Sequence, residues 1–285
     1  NEMSRKQPLQ STTRTQAGHI FFSLKWGMVD LGPDATVLDK FKLLKELGYD
    51  GIELDSPNGP PINEVIAASR EVELPVHGVV DSVHWQTRLS DPDETVRNSA
   101  VAALKTAVQD AHAYGGSSVL LVPGRVADAA HENVEQVWER SIAGINSVLP
   151  TAAKLGVHIL IENVWNGFLY THDGPADQSA DELARYIDAI NSPWIGSYFD
   201  IGNHQKYGKP AEWIRTLGKR IVKLDVKDWG IHAGWAKIGD GDVDWKAVAR
   251  ALDEISYTGW ATAEVAGGNR DRLAEILERM HTVLG

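Results

Sequence analysis

Residues 158–163 read His158-Ile-Leu-Ile-Glu162-Asn163, an apolar run that leads straight into an acid and an amide. Three later stretches also carry an acid near the same end: Gly196-Ser-Tyr-Phe-Asp200, Lys223-Leu-Asp225-Val-Lys227 and Trp260-Ala-Thr-Ala-Glu264. Side chains two apart on a strand share a face. Leu160 therefore points with Glu162, opposite Ile159 and Ile161. Asp225 points with Lys223 and Lys227, opposite Leu224 and Val226. Glu264 points with Thr262, opposite Ala263 and Val265. The wholly apolar face suits packing against helices, which turns the acids toward the inside of a sheet closed on itself.

Working outward, the text from residue 18 onward alternates short apolar runs with amphipathic stretches. Strands are expected at His19–Met28, Gly51–Asp55, Pro75–Val80, Ser118–Val122, His158–Val164, Gly196–Asp200, Ile221–Val226 and Trp260–Val265. Helices are expected at Thr36–Leu47, Asn63–Val72, Pro92–Tyr114, Asn133–Leu155, Ala180–Asn191, Ala211–Leu217, Trp245–Ser256 and Asn269–Leu284. Gly48 and Gly156 serve as C-caps and Asp244 as an N-cap. Strands alternating with helices imply parallel βαβ units. Eight repeats in 285 residues match a single (β/α)8 barrel, which takes ~250 residues, better than an open sheet. No glycine-rich dinucleotide fingerprint follows the first strand. Residues 1–17 are polar and rich in Ser, Thr and Gln, and read as a flexible tail ahead of a barrel domain at 18–285. Such a tail is compatible with a removed export signal as well as with a cytoplasmic chain.

Composition narrows the function. Cysteine is absent, which excludes disulfides, thiolate catalysis and Cys-based metal centres. The chain carries 28 basic and 39 acidic residues, a formal charge of -11, with no dense Lys/Arg cluster. A nucleic-acid backbone binder needs a basic stripe, so nucleic acid is not expected as a partner. No run of ~18 apolar residues suggests a membrane span.

In a barrel of this kind the chemistry gathers at the C-terminal ends of the strands. Acids at the ends of four consecutive strands would repel one another there. A bound divalent cation resolves that repulsion, and oxygen donors suit hard ions such as Mg²⁺ or Mn²⁺. The competing reading pairs each acid with a lysine, for which Lys223 and Lys227 are available. Glu53 and Asp55 also alternate inward, with Lys25 or Lys223 as partners.

At these residues the sequence resembles the sugar phosphate isomerase/epimerase family with the xylose-isomerase-like TIM barrel. The resemblance runs from about Ile20 to the C-terminus. It is carried by Gly48-Tyr-Asp-Gly-Ile-Glu53, Trp85 with Leu89-Ser-Asp-Pro-Asp93, Ile161-Glu-Asn163, Phe199-Asp-Ile-Gly-Asn203, Val226-Lys-Asp228, Gly239-Asp-Gly-Asp-Val243 and Ala263-Glu264-Val. It implies one divalent metal ion held by Glu162, Asp200 and Glu264, with the fourth position at Asp225. The family usually has His at that position. An all-carboxylate set favours Mn²⁺ or Mg²⁺, with Zn²⁺ or Co²⁺ as alternatives. The resemblance also implies Glu162 and Glu264 as the acid and base that move a proton beside a carbonyl.

Several neighbours are candidates for substrate binding: His77, Trp85, Asn163, His204 and Lys227. Each has a plain structural reading as well, in core packing or as a counter-charge. Trp26, Trp165, Phe168, Trp229 and Trp235 fall near strand-end loops and could form a carbohydrate platform. No phosphate cradle is evident. The expected function is a metal-dependent ketose or keto-acid isomerase/epimerase acting on a small polyhydroxylated carbonyl compound. A 3-keto-glycoside lyase using the same chemistry is the alternative, and a non-catalytic sugar-binding barrel is a further one. An abasic-site endonuclease shares the barrel but needs a basic surface and a His-rich site. The resemblance leaves a homo-oligomer open.

Overall fold

The computed structural model describes residues 19–285, and the expected tail at 1–17 lies outside the described residues. In chain order the elements are β1 (Ile20–Leu24), α1 (Val37–Leu47), β2 (Ile52–Ser56), α2 (Ile62–Val72), β3 (Val76–Asp81), α3 (Glu94–Ala113), β4 (Ser118–Leu121), α4 (Val134–Leu155) and β5 (His158–Glu162). Then come α5 (Asp181–Ile190), β6 (Ile195–Asp200), α6 (Pro210–Leu217), β7 (Ile221–Val226), β8 (Asp228–Gly230), β9 (Gly234–Ala236), α7 (Trp245–Glu254), β10 (Gly259–Ala263) and α8 (Arg270–Leu284).

Eight strands form one parallel sheet in the order β1-β10-β7-β6-β5-β4-β3-β2. A single bridge, Lys25 to Glu53, joins its two edges. The architecture is the expected (β/α)8 barrel. Local signals explain the helix ends. Thr36 and Asp39 form a reciprocal capping box at α1, and Gly48 closes that helix at φ 99°. Asp244 caps α7 by accepting from Ala247 N at 3.0 Å.

The expectation about strand faces is met. Ile159 and Ile161 belong to the large core between strands and helices. Leu160 faces inward and packs with Leu120 and Tyr198 in a separate small core, flanked by Val80 and Val222. This plug fills part of the barrel axis, and truncating Leu160 to Ala would cost about 2–5 kcal/mol.

Most expected boundaries move by a residue or two, and three of the shifts bear on the site. The first strand ends at Leu24, because Trp26–Met28 turns into a short 3-10 segment. β5 stops at Glu162 and β10 at Ala263, so Glu264 sits just past its strand, with its N–H donating to Val226 O at 3.1 Å. The β8–β9 hairpin between β7 and α7 has no counterpart in the expected element list.

Candidate active site

The four strand-end acids meet. Glu162, Asp200, Asp225 and Glu264 each offer a carboxylate oxygen, and these atoms all lie within 4.8 Å of one another. Asp200 and Asp225 are directly paired in register, on β6 and β7. Both are fully buried. Glu264 differs: its Oε2 is buried, while 39% of its side chain is open.

Turn geometry fixes Asp200. Its Oδ1 accepts from Gly202 N at 3.0 Å and Asn203 N at 2.9 Å. A Cβ on Gly202 would lie 2.5 Å from Lys227 O, so glycine is required for the turn to pass β7. Asn203 then ties three groups together. Its Nδ2 donates to Glu162 Oε1 (3.2 Å) and Asn163 O (2.8 Å), and its Oδ1 accepts from Lys227 Nζ (2.9 Å).

Two lysines enter the cluster. Lys25, from the end of β1, contacts Glu53 and lies 2.8 Å from Asp225 Oδ1. Lys227 lies 3.4 Å from Asp200 Oδ2 and 3.7 Å from Glu264 Oε1. Five buried or half-buried carboxylates, counting Glu53, thus face two ammonium groups. The excess charge and the burial shift the proton affinities of the acids. Burial, then the charges of Glu264 and Asp200, push Glu162 well above the usual carboxylate range. Burial also raises Asp200, to about 6, and Asp225 well upward despite Lys25. Burial acts upward on Glu264 too, but Lys227 and Lys25 outweigh it and hold that carboxyl at about 2.

The donor set fits a hard divalent ion. Asp200 Oδ2, both oxygens of Asp225 and Glu264 Oε2 are buried and accept no well-aligned hydrogen bond; Lys227 and Lys25 approach only Asp200 Oδ2 and Asp225 Oδ1, and a cation would satisfy the remaining oxygens. All donors are oxygen, and two lysines alone leave the acids undercompensated.

A cavity of about 430 Å³ opens above the cluster. Glu162, Glu264, Lys25 and Lys227 form its charged part, with Asp55, Asn203, His84, Trp85, Trp165 and Trp235 around them. Trp85 and Lys227, expected at the substrate, line it. His77, Asn163 and His204 do not.

His77 is buried below the cavity. It bonds Ser23 Oγ (3.0 Å) and Thr262 Oγ1 (3.1 Å) through Nε2, receives Lys223 Nζ at Nδ1 (2.9 Å) and stacks on Trp260 at 4.4 Å. Lys223 is thus engaged with His77 rather than with Asp225. Asn163 stitches β5 to β6, accepting from Asp200 N (2.8 Å) and donating to Asp200 O (3.0 Å). His204 bonds Val164 O at 2.9 Å in a small closed pocket, and burial lowers it to about 4. The motif residue Asp228 is an organiser of the following loop. It accepts from Trp229 N, Gly239 N, Val243 N and Trp245 Nε1 at 2.8–3.2 Å.

Lys25, Asn203 and His84 are lining residues outside the expected set of ligands and substrate contacts. Lys25 shares the inward parity of Ser23, a signal present in the sequence. Asn203 lies inside the Phe199–Asn203 motif. His84 accepts from Val122 N through Nδ1 at 2.9 Å, which leaves the ring proton on Nε2. Burial holds His84 down at about 3, so it is a neutral donor.

Comparison with known proteins agrees with this architecture. The family model described as a xylose isomerase-like TIM barrel matches residues 41–282, and the chain belongs to that family. It is 27% identical over 200 residues to an uncharacterized protein of Methanocaldococcus jannaschii, an overlap of 68% of this chain and 64%, under two thirds, of that protein. It is 24% identical over 236 residues to L-ribulose-5-phosphate 3-epimerase UlaE of Escherichia coli, covering 78% of this chain and 79% of that one. Its fold matches that of the E. coli 3-keto-D-glucoside 4-epimerase YcjR with a TM-score of 0.72 at 18% identity, covering 93% and 98% of the two chains. The named homologue and this structural neighbour are sugar epimerases. Among the described residues, no helix is long and apolar enough to cross a membrane.

Proposed function

We propose that the chain is a sugar isomerase/epimerase that moves a proton at a carbon next to a carbonyl. The observation that carries this reading is the meeting of four strand-end carboxylates at the floor of a tryptophan-walled cavity. Glu162, Asp200, Asp225 and Glu264 would hold one divalent cation, Mn²⁺ or Mg²⁺ by donor chemistry. When bound, such an ion polarises the substrate carbonyl and its neighbouring hydroxyl, acidifying the C–H between them.

Glu162 and Glu264 then divide the proton work. They come from β5 and β10, which are separated in the barrel by β6 and β7, so they approach the substrate from different walls. Glu264, partly open to the cavity, removes the proton. Glu162 returns one on the opposite face. Lys227 and Asn203 keep the two carboxylates oriented, and His84 Nε2–H is available to a substrate oxygen. Trp85, Trp165 and Trp235 supply flat apolar walls for a sugar ring.

The test is incubation with ketoses and 3-keto-glycosides in D₂O. Deuterium uptake beside the carbonyl, with an epimer of otherwise equal mass, is the expected result. Release of an aglycone would move the assignment to the lyase. Binding without any exchange, for all probes, would leave a sugar-binding barrel.

A further inference from the structure

Sequence parity turns both Glu53 and Asp55 inward, but the two acids end differently. Glu53 takes Lys25 and Tyr198, and Lys223, the other lysine within reach of the axis, is taken by His77. Asp55, at the end of β2, is half-buried and lines the acidic cavity. Among the described residues its carboxylate accepts no hydrogen bond and joins no ion pair. Burial and the neighbouring Glu53 raise its proton affinity more than Lys25 lowers it.

The other cavity acids are already engaged. Asn203 donates to Glu162, and Lys227 lies against Asp200 and Glu264. Asp55 is also outside the group of four whose oxygens converge. The closed strand order explains the separation. Three strands stand between β2 and β6 in either direction, so Asp55 faces the acid cluster from across the barrel mouth.

A carboxylate partly withdrawn from water with no donor is costly in the empty site. It can only accept, so whatever satisfies it must donate. Its neighbours around the cavity are His84, which presents Nε2–H, and Trp85, with 37% of its surface exposed. A negatively charged group at this wall would bring acceptors and repulsion. Sugar hydroxyls bring donors without charge, and the indole offers a flat face for the carbons that carry them.

We infer that Asp55 is a specificity-determining residue, its carboxylate accepting hydrogen bonds from hydroxyls that the substrate carries beyond its reacting carbon. The uncharged, hydroxyl-bearing end of the sugar then lies against β2, and the carbonyl end lies at the acid cluster. This inference deepens the isomerase/epimerase reading and rests on it.

The test is exchange in D₂O of the carbon-bound hydrogen of D-fructose, D-xylulose and D-erythrulose by the purified enzyme with Mn²⁺ added. The three share the hydroxy-ketone and shorten by one hydroxyl-bearing carbon at each step. From D-fructose to D-erythrulose kcat/KM should fall about tenfold or more, the worth of one hydrogen bond to a charged group. Asp55→Ala should collapse that ratio toward one, through a raised KM for D-fructose rather than a lowered kcat. Asp55→Asn, which keeps one acceptor oxygen, should retain part of it. Both variants should melt at or above the wild-type temperature, because the lost carboxylate has no partner in the fold. A melt lowered by more than about 5 °C would give Asp55 a structural role instead and overturn the inference. Equal kcat/KM along the series in the wild type, or a ratio untouched by Asp55→Ala, overturns it and keeps the epimerase. Calorimetric binding of D-fructose is read alongside. Binding about tenfold weaker in Asp55→Ala, with no exchange in the wild type, keeps the role of Asp55 and removes the epimerase. Equal binding in the two proteins without exchange, or no binding and no exchange, overturns both.

Discussion

Lys25 Nζ lies 2.8 Å from Asp225 Oδ1, a contact that joins the end of β1 to the end of β7 across the top of the barrel. It sets a cation against the buried negative charge of Asp225, and the same cation also serves Glu53. Glu53 in turn accepts from Tyr198 OH at 2.7 Å, and Tyr198 reaches Thr262 at 3.2 Å. The charged cluster is therefore the upper end of a polar network that continues down the barrel axis to His77 and Lys223.

Removing that cation should be expensive. Lys25→Met leaves Glu53 buried without its ammonium partner and Asp225 among like charges. Breaking a buried pair from one side costs about 3–5 kcal/mol. Urea unfolding of the variant should show a loss of that size at pH 7. Combining Lys25→Met with Glu53→Gln should recover part of it. A single-variant loss below ~1 kcal/mol would mean that the contact is not formed.

Each member of the proton-transfer pair can be removed with little change of shape. Glu264→Gln should lower exchange at the substrate carbon, and Glu162→Gln should lower epimer formation, each by about 10²–10⁴-fold. The folded circular-dichroism spectrum and the cooperative melt should persist. Asn163→Ala should behave differently, weakening stability by about 1–3 kcal/mol through the two lost bonds to Asp200. Full exchange in Glu264→Gln would displace the assignment to another base.

Much of this could be read along the chain, and the part that could not has a common cause. The barrel and the four acids follow from local text: apolar runs, turn residues and two-residue alternation. Lys25 as a partner of Glu53 follows from parity as well, while its contact with Asp225 and the pairing of His77 with Lys223 depend on which strands lie opposite one another. Lys25 and Asp225 are 200 positions apart, and no periodicity connects them. His204 and Asn163 sit beside strand ends, as substrate ligands do. Their neighbours in space turn them instead to backbone carbonyls and amides. The β8–β9 hairpin escaped because its strands are three residues long, shorter than any alternation can mark.

Metal addition offers a test independent of turnover. A ligand that binds only the folded state stabilises it by about 2.7 kcal/mol at a hundredfold excess over Kd. For a chain of this size that is a melting shift on the order of 4–5 °C. Mn²⁺ or Mg²⁺ added to chelator-treated protein should produce such a shift, and Asp200→Asn combined with Asp225→Asn should abolish it. No shift with any of Mn²⁺, Mg²⁺, Co²⁺ or Zn²⁺ would show that Lys25 and Lys227, with protons on the acids, compensate the cluster unaided.

Asp81, at the end of β3, gives a pH signature separable from the site. It is buried and accepts from Val83 N at 3.1 Å, yet burial outweighs that bond and lifts its carboxyl to about 6. The folded state therefore holds this proton more tightly than the unfolded chain does. The associated stability is complete below pH ~4 and is lost as the pH rises through about 6. Asp81→Asn keeps the acceptor for Val83 N and cannot ionise. The variant should match the wild type near pH 3.5 and exceed it by about 1–3 kcal/mol at pH 7.5. Denaturant melts at both pH values measure the difference. A gap independent of pH would place the Asp81 carboxyl in water and remove burial as the cause of its shift.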